Sequence, residues 1–140
     1  MCTVADWSVS ILLGLTGIID WKKREIPIVL LIIISTLVLF YAICCHKVDV
    51  WYRFAGLLMG VFFFIISRVT KEAVGYADSW LILILGVHLG VLKALEVLCI
   101  ASLLAAVFSV FFLWKCKWKR DVAIPFIPFL FIAYIGVIII

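Results

Sequence analysis

The sequence predicts an all-α polytopic membrane protein, a bundle of six transmembrane helices, and three observations support this class. The 140 residues are 69% hydrophobic and only 14% charged, whereas a soluble domain is about half apolar and about one quarter charged. The mean hydropathy of +1.39 is correspondingly high. The aromatic content of 15% also excludes a disordered chain, because such chains are polar and poor in aromatic residues.

Six apolar runs separated by charged residues predict the helices in chain order. They cover residues 4–19, 27–45, 51–67, 73–92, 95–114 and 124–140. Each run is close to the roughly 17–25 residues that cross a bilayer as a helix. The connections are short and contain no Pro/Ser-rich linker, so we expect a single transmembrane domain over residues 1–140. The first run has no basic segment before it, so we expect no cleaved signal peptide.

The basic residues predict the orientation of the bundle. Nine of the twelve lie in the loops after the first, third and fifth runs: Lys22, Lys23, Arg24, Arg68, Lys71, Lys115, Lys117, Lys119 and Arg120. Basic residues are enriched in cytoplasmic loops, so loops 20–26, 68–78 and 115–123 are expected in the cytoplasm and both termini outside. The net charge of +4 is then explained by the basic residues of the cytoplasmic loops. We therefore expect membrane lipids rather than nucleic acid as partners.

Other residue types predict packing rather than chemistry. The five Cys are odd in number and have no CxxC spacing, so we expect no metal site and no cofactor. His88 is expected to be hydrogen-bonded near the outer end of the fourth helix. Gly86 and Gly90 form a small-xxx-small pattern that favours close helix packing. Pro27 and Pro125 are expected at the first positions of the second and sixth helices.

Two of the eight acidic residues are not explained by solvated loops or helix ends. Asp20 directly closes the first apolar run, and Asp78 is the only charged residue in 73–92. A span starting after Asp78 would measure about 21 Å, short of the roughly 30 Å hydrocarbon core. We therefore expect Asp78 to be recessed in the membrane, at the same cytoplasmic end as Asp20. Asp6, by contrast, is expected to be a solvated charge at the outer end.

Two recessed carboxylates at one end of a bundle can share a site. Because both cannot ionise cheaply, one keeps its proton and the other serves as a base. This division of roles lets an aspartic protease activate a water without a covalent intermediate. Alternatively, each Asp caps a helix or pairs with a loop Lys. Gly75, three residues before Asp78, favours a shared site because Gly permits close approach of another segment.

Three segments resemble motifs of the type IV prepilin peptidase family. Asp20-Trp-Lys-Lys-Arg-Glu-Ile-Pro27 resembles the first motif, in which an Asp at a helix end precedes a basic stretch and Ile-Pro. Gly75-Tyr-Ala-Asp78 resembles the second motif, GxGD, and Ile124-Pro-Phe-Ile-Pro-Phe-Leu130 is similar to the opening of the family's last helix. Ala77 stands where the motif has its second Gly, and Trp80 where many members have a Lys.

The resemblance implies a membrane-embedded aspartic endopeptidase of the short form. Such an enzyme cuts the basic leader peptide from type IV pilin-like precursors at the cytoplasmic membrane face. The catalytic pair would be Asp20 and Asp78. Residues that shape the motifs or contact substrate would be Gly75, Ala77, Lys22, Lys23, Arg24 and Pro27. Larger members add N-methylation through a cytoplasmic insertion with zinc-binding cysteines, and without this insertion we expect proteolysis alone. The sequence leaves open whether the enzyme acts as a homo-oligomer.

Two other classes of function are compatible with the sequence. A small transporter could use a recessed Asp to bind a proton or cation. A scaffold of a pilus or secretion machine would need no catalysis, and Ala77 and Trp80 are the residues that suggest it.

Overall fold

The computed structural model describes residues 2–23, 25–44, 48–70, 76–115 and 124–140 and, within those ranges, contains helices and no strands. The helices are α1 (Cys2–Lys23), α2 (Ile28–Cys44), α3 (Val50–Val69), α4 (Tyr76–Leu89), α5 (Val91–Lys115) and α6 (Ile127–Ile139). Three regions are long and apolar enough to cross a membrane: Val4–Lys23 within α1, all of α3 and all of α5. The predicted all-α class with six helices is confirmed.

The fourth and fifth helices differ from their predicted bounds. The predicted span 73–92 is wrong at its end, because α4 stops at Leu89 after 14 residues. Gly90 alone separates α4 from α5 and has a φ of +81°, a left-handed conformation that favours Gly. Lys93, which separates the fourth and fifth apolar runs in the sequence, lies in the first turn of α5.

Helix α4 lies at the centre of the bundle. It packs against α2, α3 and α5, while α6 packs against α1 and α5. The hydrophobic core is accordingly formed by residues of α4 and α6 together with the inner faces of α1, α2 and α5. Large exposed apolar side chains cover the outward faces of α2, α3 and α5, as expected for surfaces that lie against lipid.

Helix α1 has one lipid-facing stripe and one inward stripe, although nearly all its residues are apolar. The exposed stripe follows helical spacing and contains Val4, Trp7, Ile11, Leu15 and Ile18. The buried stripe contains Ala5, Val9, Leu13 and Thr16. Thr16 satisfies its hydroxyl by donating to the carbonyls of Leu12 and Leu13 in its own helix, so it adds no polar contact to the core.

Glycines bring the backbones of α3 and α4 into contact. A Cβ atom on Gly56 would lie 2.1 Å from the carbonyl oxygen of Gly86, and one on Gly60 would lie 2.4 Å from the Cα of Leu83. The prediction of close packing at Gly86 is therefore confirmed. Gly90 is also closely approached, since a Cβ there would lie 2.9 Å from the Cγ1 of Val48 and 3.3 Å from the Cβ of Tyr52 in α3, and it forms the turn into α5 as well.

The two prolines lie just outside the positions predicted for them. Helix α2 begins at Ile28, and the carbonyl of Pro27 accepts a hydrogen bond from the N–H of Leu30 at 3.0 Å. Helix α6 begins at Ile127, so Pro125 precedes its N-cap Phe126, and Pro128 occupies the first turn instead.

Candidate active site

Asp20 lies in the last turn of α1, beside the beginning of α6. Gly14, Gly17 and Asp20 are spaced three residues apart and therefore share one face of the helix. A Cβ atom on Gly14 would lie 3.1 Å from the Phe131 ring, and one on Gly17 would lie 3.4 Å from the Cα of Pro128. The missing side chains thus let the end of α1 reach the beginning of α6.

One N–H in the first turn of α6 is not used within the helix and donates a hydrogen bond to Asp20. Pro128 has no N–H, and the N–H of Phe129 donates to the carbonyl of Phe126 at 3.1 Å. The backbone N–H of Ile127 donates to the Asp20 carboxylate. Because helix N-termini carry unpaired N–H groups and partial positive charge, this contact is well suited to hold an anion.

Asp78 lies in the first turn of the central helix α4, with a half-buried side chain. The residues three and four positions later on the same face are Leu81 and Ile82, both almost fully buried. Asp78 therefore points along the inward face of α4, and its carboxyl is more enclosed than that of Asp20.

The two carboxylates are close enough that the charge of Asp20 acts on Asp78. The sequence predicted that both lie at one end of the bundle, and the fold brings them together from α1 and α4. Two carboxylates in one site cannot both ionise without strong repulsion, so the pair can hold one proton and one negative charge. That combination supplies both a general base and a general acid.

Aromatic side chains line the α4 surface beside Asp78. Phe64 of α3 makes edge contacts with Tyr76 and Trp80, with ring centroids 5.1 and 6.2 Å apart. The Nε1–H of Trp80 donates to the hydroxyl of Ser35 in α2 at 2.8 Å. Trp80 therefore links α2, α3 and α4 next to Asp78.

The remaining site residues predicted from sequence occupy the same end of the bundle or lie outside the described residues. Ala77 is half-buried against the hydrophobic core. Lys22 and Lys23 are exposed in the last turn of α1, and Pro27 is exposed ahead of α2. Gly75 and Arg24 lie outside the described residues. The roles assigned to all of them stay predictions.

In the part of the chain that the structure describes, no group of three or more His, Cys, Asp or Glu side chains is arranged to hold a metal ion.

A second pair of titratable groups lies at the opposite end of the bundle. The Nε2 of His88 and the Oδ1 of Asp6 are 3.0 Å apart, so the prediction of a hydrogen-bonded His88 is confirmed. The expectation that Asp6 is a solvated charge is wrong. Asp6 lies within α1 and connects that helix to the end of α4.

Sequence reasoning missed Gly14, Gly17 and the Ile127 N–H, although one signal was present. Glycines three and six residues before a helix-terminal Asp mark a face on which another backbone can approach. The role of the Ile127 N–H could not be predicted from the sequence. The N–H groups that remain unpaired at the start of the sixth helix depend on the residue at which that helix begins.

These features define a polytopic helical membrane protein with a paired-carboxylate site near one membrane face. Residues 7–110 match the model of the type IV leader peptidase family. The match covers most of the chain and includes both Asp20 and Asp78, and the chain belongs to this family. It is thus a protease of the general leader-peptidase type, as the motif resemblance predicted. Comparison with curated proteins and with solved structures gives no match.

Proposed function

We propose that the protein is an aspartic endopeptidase that removes the basic leader peptide from type IV pilin-like precursors at the cytoplasmic membrane face. The observation that carries this proposal is that Asp20 lies near enough to Asp78 for its charge to act on the Asp78 carboxyl, beside the first turn of α6. Peptide hydrolysis without a covalent intermediate needs a base for water and an acid for the carbonyl oxygen. A carboxylate pair that shares one proton provides both.

The surroundings of the two carboxylates differ, and this difference suggests their roles. Asp20 accepts the N–H of Ile127, which stabilises a negative charge on its oxygen. We assign Asp20 as the base that removes a proton from water, while the more enclosed Asp78 protonates the oxygen of the scissile carbonyl. The water oxygen bonds to the carbonyl carbon to give a tetrahedral gem-diol intermediate. This intermediate collapses when the C–N bond breaks, Asp20 returns its proton to the leaving nitrogen, and Asp78 takes back a proton from the hydroxyl that becomes the new carbonyl.

The chain's connections support proteolysis without N-methylation. The longest stretch between two helices is residues 116–126, which is too short for an additional cytoplasmic zinc-binding insertion. Lys22 and Lys23, exposed beside Asp20, place positive charge at this end of the bundle and support its assignment to the cytoplasmic side.

The arrangement of the core disfavours the transporter alternative. In the described part of the chain, the Asp6–His88 pair and the Asp20–Asp78 pair lie at opposite ends of the bundle. Between them lie Leu13, Leu81 and Leu85, each at most 2% exposed. Proton or cation transport needs a chain of polar groups or water between two sides of the membrane, and these leucines interrupt such a path.

Co-expression with a pilin-like precursor tests the proposed activity. Asp20→Asn and Asp78→Asn should each abolish shortening of the precursor, because an amide can act neither as the base nor as the acid. Glu96→Gln is the matched control, since Glu96 is an exposed acidic residue of the membrane helix α5. The control should process the precursor at the parental rate.

Insertion and abundance of each variant are measured in the same membranes. Continued cleavage by either Asp variant, at normal abundance, would show that the pair is not the catalytic centre. Proteoliposome flux that Asp78→Asn abolishes, without any peptide cleavage, would favour the transporter.

A further inference from the structure

The end of the bundle opposite Asp20 and Asp78 contains a cavity of about 570 Å³. All six helices contribute terminal turns to its wall, represented by Asp6, Ala42, Arg53, Leu89, Lys93 and Ile138. Because the ends of membrane helices lie at the level of the lipid headgroups, the cavity lies at that level too. Trp51, 83% exposed at the start of α3, is typical of an interfacial aromatic residue and agrees with this depth.

Two polar contacts connect the helices around this cavity. The Asp6–His88 pair joins α1 to α4 at 3.0 Å. The guanidinium of Arg53 in α3 donates to the backbone carbonyl of Ala42 in the last turn of α2. These contacts cross-link four of the six helices, so the walls of the cavity are formed before any ligand binds.

The cavity also presents one exposed cation and one exposed anion. Lys93 of α5 and Asp49, the N-cap of α3, both line it, and both are exposed. An ammonium binds phosphate oxygens well, and a carboxylate binds an ammonium group. The pair is therefore complementary to a molecule that carries a phosphate and a primary amine.

One part of the wall is apolar. Leu89, Leu92, Val137 and Ile138 line the cavity together with the charged groups, and Leu92 is 66% exposed. A ligand that fits the whole site has a zwitterionic head and a hydrocarbon portion, which is the chemistry of a phospholipid.

We propose that this cavity binds the headgroup of a phosphoethanolamine lipid. The lipid phosphate lies at Lys93, its ammonium lies at Asp49, and the first part of its acyl chains follows the apolar wall. A choline headgroup carries no N–H for Asp49, and a glycerol headgroup carries no cation. The site therefore distinguishes phosphatidylethanolamine from both. It lies at the other end of the bundle from the proposed catalytic pair and does not depend on the proteolytic activity.

Native mass spectrometry of the purified full chain, delipidated and then supplied with defined lipids, tests the proposal. Phosphatidylethanolamine should occupy one site with an affinity about fivefold above that of phosphatidylcholine or phosphatidylglycerol, the factor that one partly exposed charge contact of about 1 kcal/mol supplies. Equal affinity for the three lipids would overturn the assignment.

Variants of Lys93 and Asp49 test the phosphate contact and the ammonium contact of the headgroup separately. Lys93→Gln should weaken phosphatidylethanolamine and phosphatidylcholine alike, because both carry the phosphate. Asp49→Asn should remove the preference between them, because it weakens phosphatidylethanolamine, which donates N–H groups to the carboxylate, more than phosphatidylcholine. The matched controls are Lys115→Gln, at the far end of the same helix as Lys93, and Glu25→Gln, both exposed. These should bind as the parent does.

Helical content, measured by circular dichroism, establishes that each variant is folded. Parental binding by both Lys93→Gln and Asp49→Asn would contradict the proposal. Phosphoethanolamine without acyl chains provides the last comparison. It should not displace the lipid at equal concentration, and displacement would instead identify a soluble phosphoamine as the ligand.

Discussion

At the scale of single residues, the Asp20 carboxylate reaches the beginning of α6 because two glycines lack a side chain and one proline lacks an N–H. Gly14 and Gly17 lack the side chains that would separate α1 from α6. Pro128 lacks an N–H, and the N–H of Phe129 is used within the turn. The remaining donor, on Ile127, therefore meets Asp20.

Gly17→Val should displace Asp20 from the beginning of α6. The Cβ alone would lie 3.4 Å from the backbone of Pro128, and the two methyl groups beyond it require the helices to move apart. Because a displacement of about 1 Å can reduce catalysis about 100-fold, precursor processing should fall by roughly that factor. The control is Gly136→Val, since a Cβ at Gly136 has no neighbour within 4 Å. Equal loss of processing in both variants would show that the loss does not depend on the contact between Gly17 and α6.

The carboxylate pair should give a bell-shaped dependence of processing rate on pH. At low pH both carboxyls are protonated and no base is present, whereas at high pH both are ionised and no acid is present. The two apparent pKa values belong to the pair rather than to either residue. The measurement is the initial rate of cleavage in detergent across about pH 4 to 9. A flat profile would argue against shared protonation.

Sequence reasoning identified Asp20 and Asp78 because a charge within an apolar run is costly and needs a reason. It did not identify the Asp6–His88 pair. Asp6 lies near the start of an apolar run, and only the folded bundle shows that its partner is 82 residues away in the chain.

At the scale of helices, α4 is held in place chiefly by backbone contact with α3. Gly56 and Gly86 meet there, and Gly60 meets Leu83 one turn further along. In lipid, such close contact replaces the hydrophobic driving force that is absent between apolar helices. The first turn of α4, with Asp78, is consequently positioned by glycines some distance away.

Gly56→Ala and Gly136→Ala should have opposite effects on stability. A Cβ at Gly56 would lie 2.1 Å from the Gly86 carbonyl, so α3 and α4 must separate, and overpacking of this kind costs about 1–3 kcal/mol. Gly136→Ala meets no neighbour and gains up to about 1 kcal/mol from helix propensity. Thermal unfolding in detergent measures both changes. Stabilisation by Gly56→Ala would contradict the close contact.

The number and order of the helices followed from the apolar runs, but the length of α4 did not. Hydropathy continues unbroken from the end of α4 into α5, because the residues on either side of Gly90 are apolar. The turn is visible only as one Gly with a positive φ. No periodic signal separates two apolar helices joined by a single residue.

At the scale of the whole molecule, the bundle has two ends of different composition. One end carries Asp20, Asp78 and the exposed Lys22 and Lys23. The other carries the Asp6–His88 pair and the cavity. The proposed topology assigns the first end to the cytoplasm.

Cysteine labelling in intact cells tests this topology. In a background without the native cysteines, Asp49→Cys should react with a membrane-impermeant thiol reagent, and Lys23→Cys should react only after the cells are lysed. Both positions are exposed, so accessibility within the protein does not explain a difference. The reverse labelling pattern would show that the bundle has the opposite orientation in the membrane.

The single-residue link at Gly90 also has a consequence for biosynthesis. Helix α4 has 14 residues and carries a carboxyl group, so its insertion alone would be unfavourable. Helix α5 has 25 residues, and Glu96 is the only charged residue among the 21 between Lys93 and Lys115. With one residue between them, the two helices leave the ribosome as a hairpin, and we infer that α5 carries α4 into the bilayer. Glycosylation mapping of truncated chains should find α4 inserted only when α5 is present. Insertion of α4 by itself would show that Asp78 enters the membrane unaided.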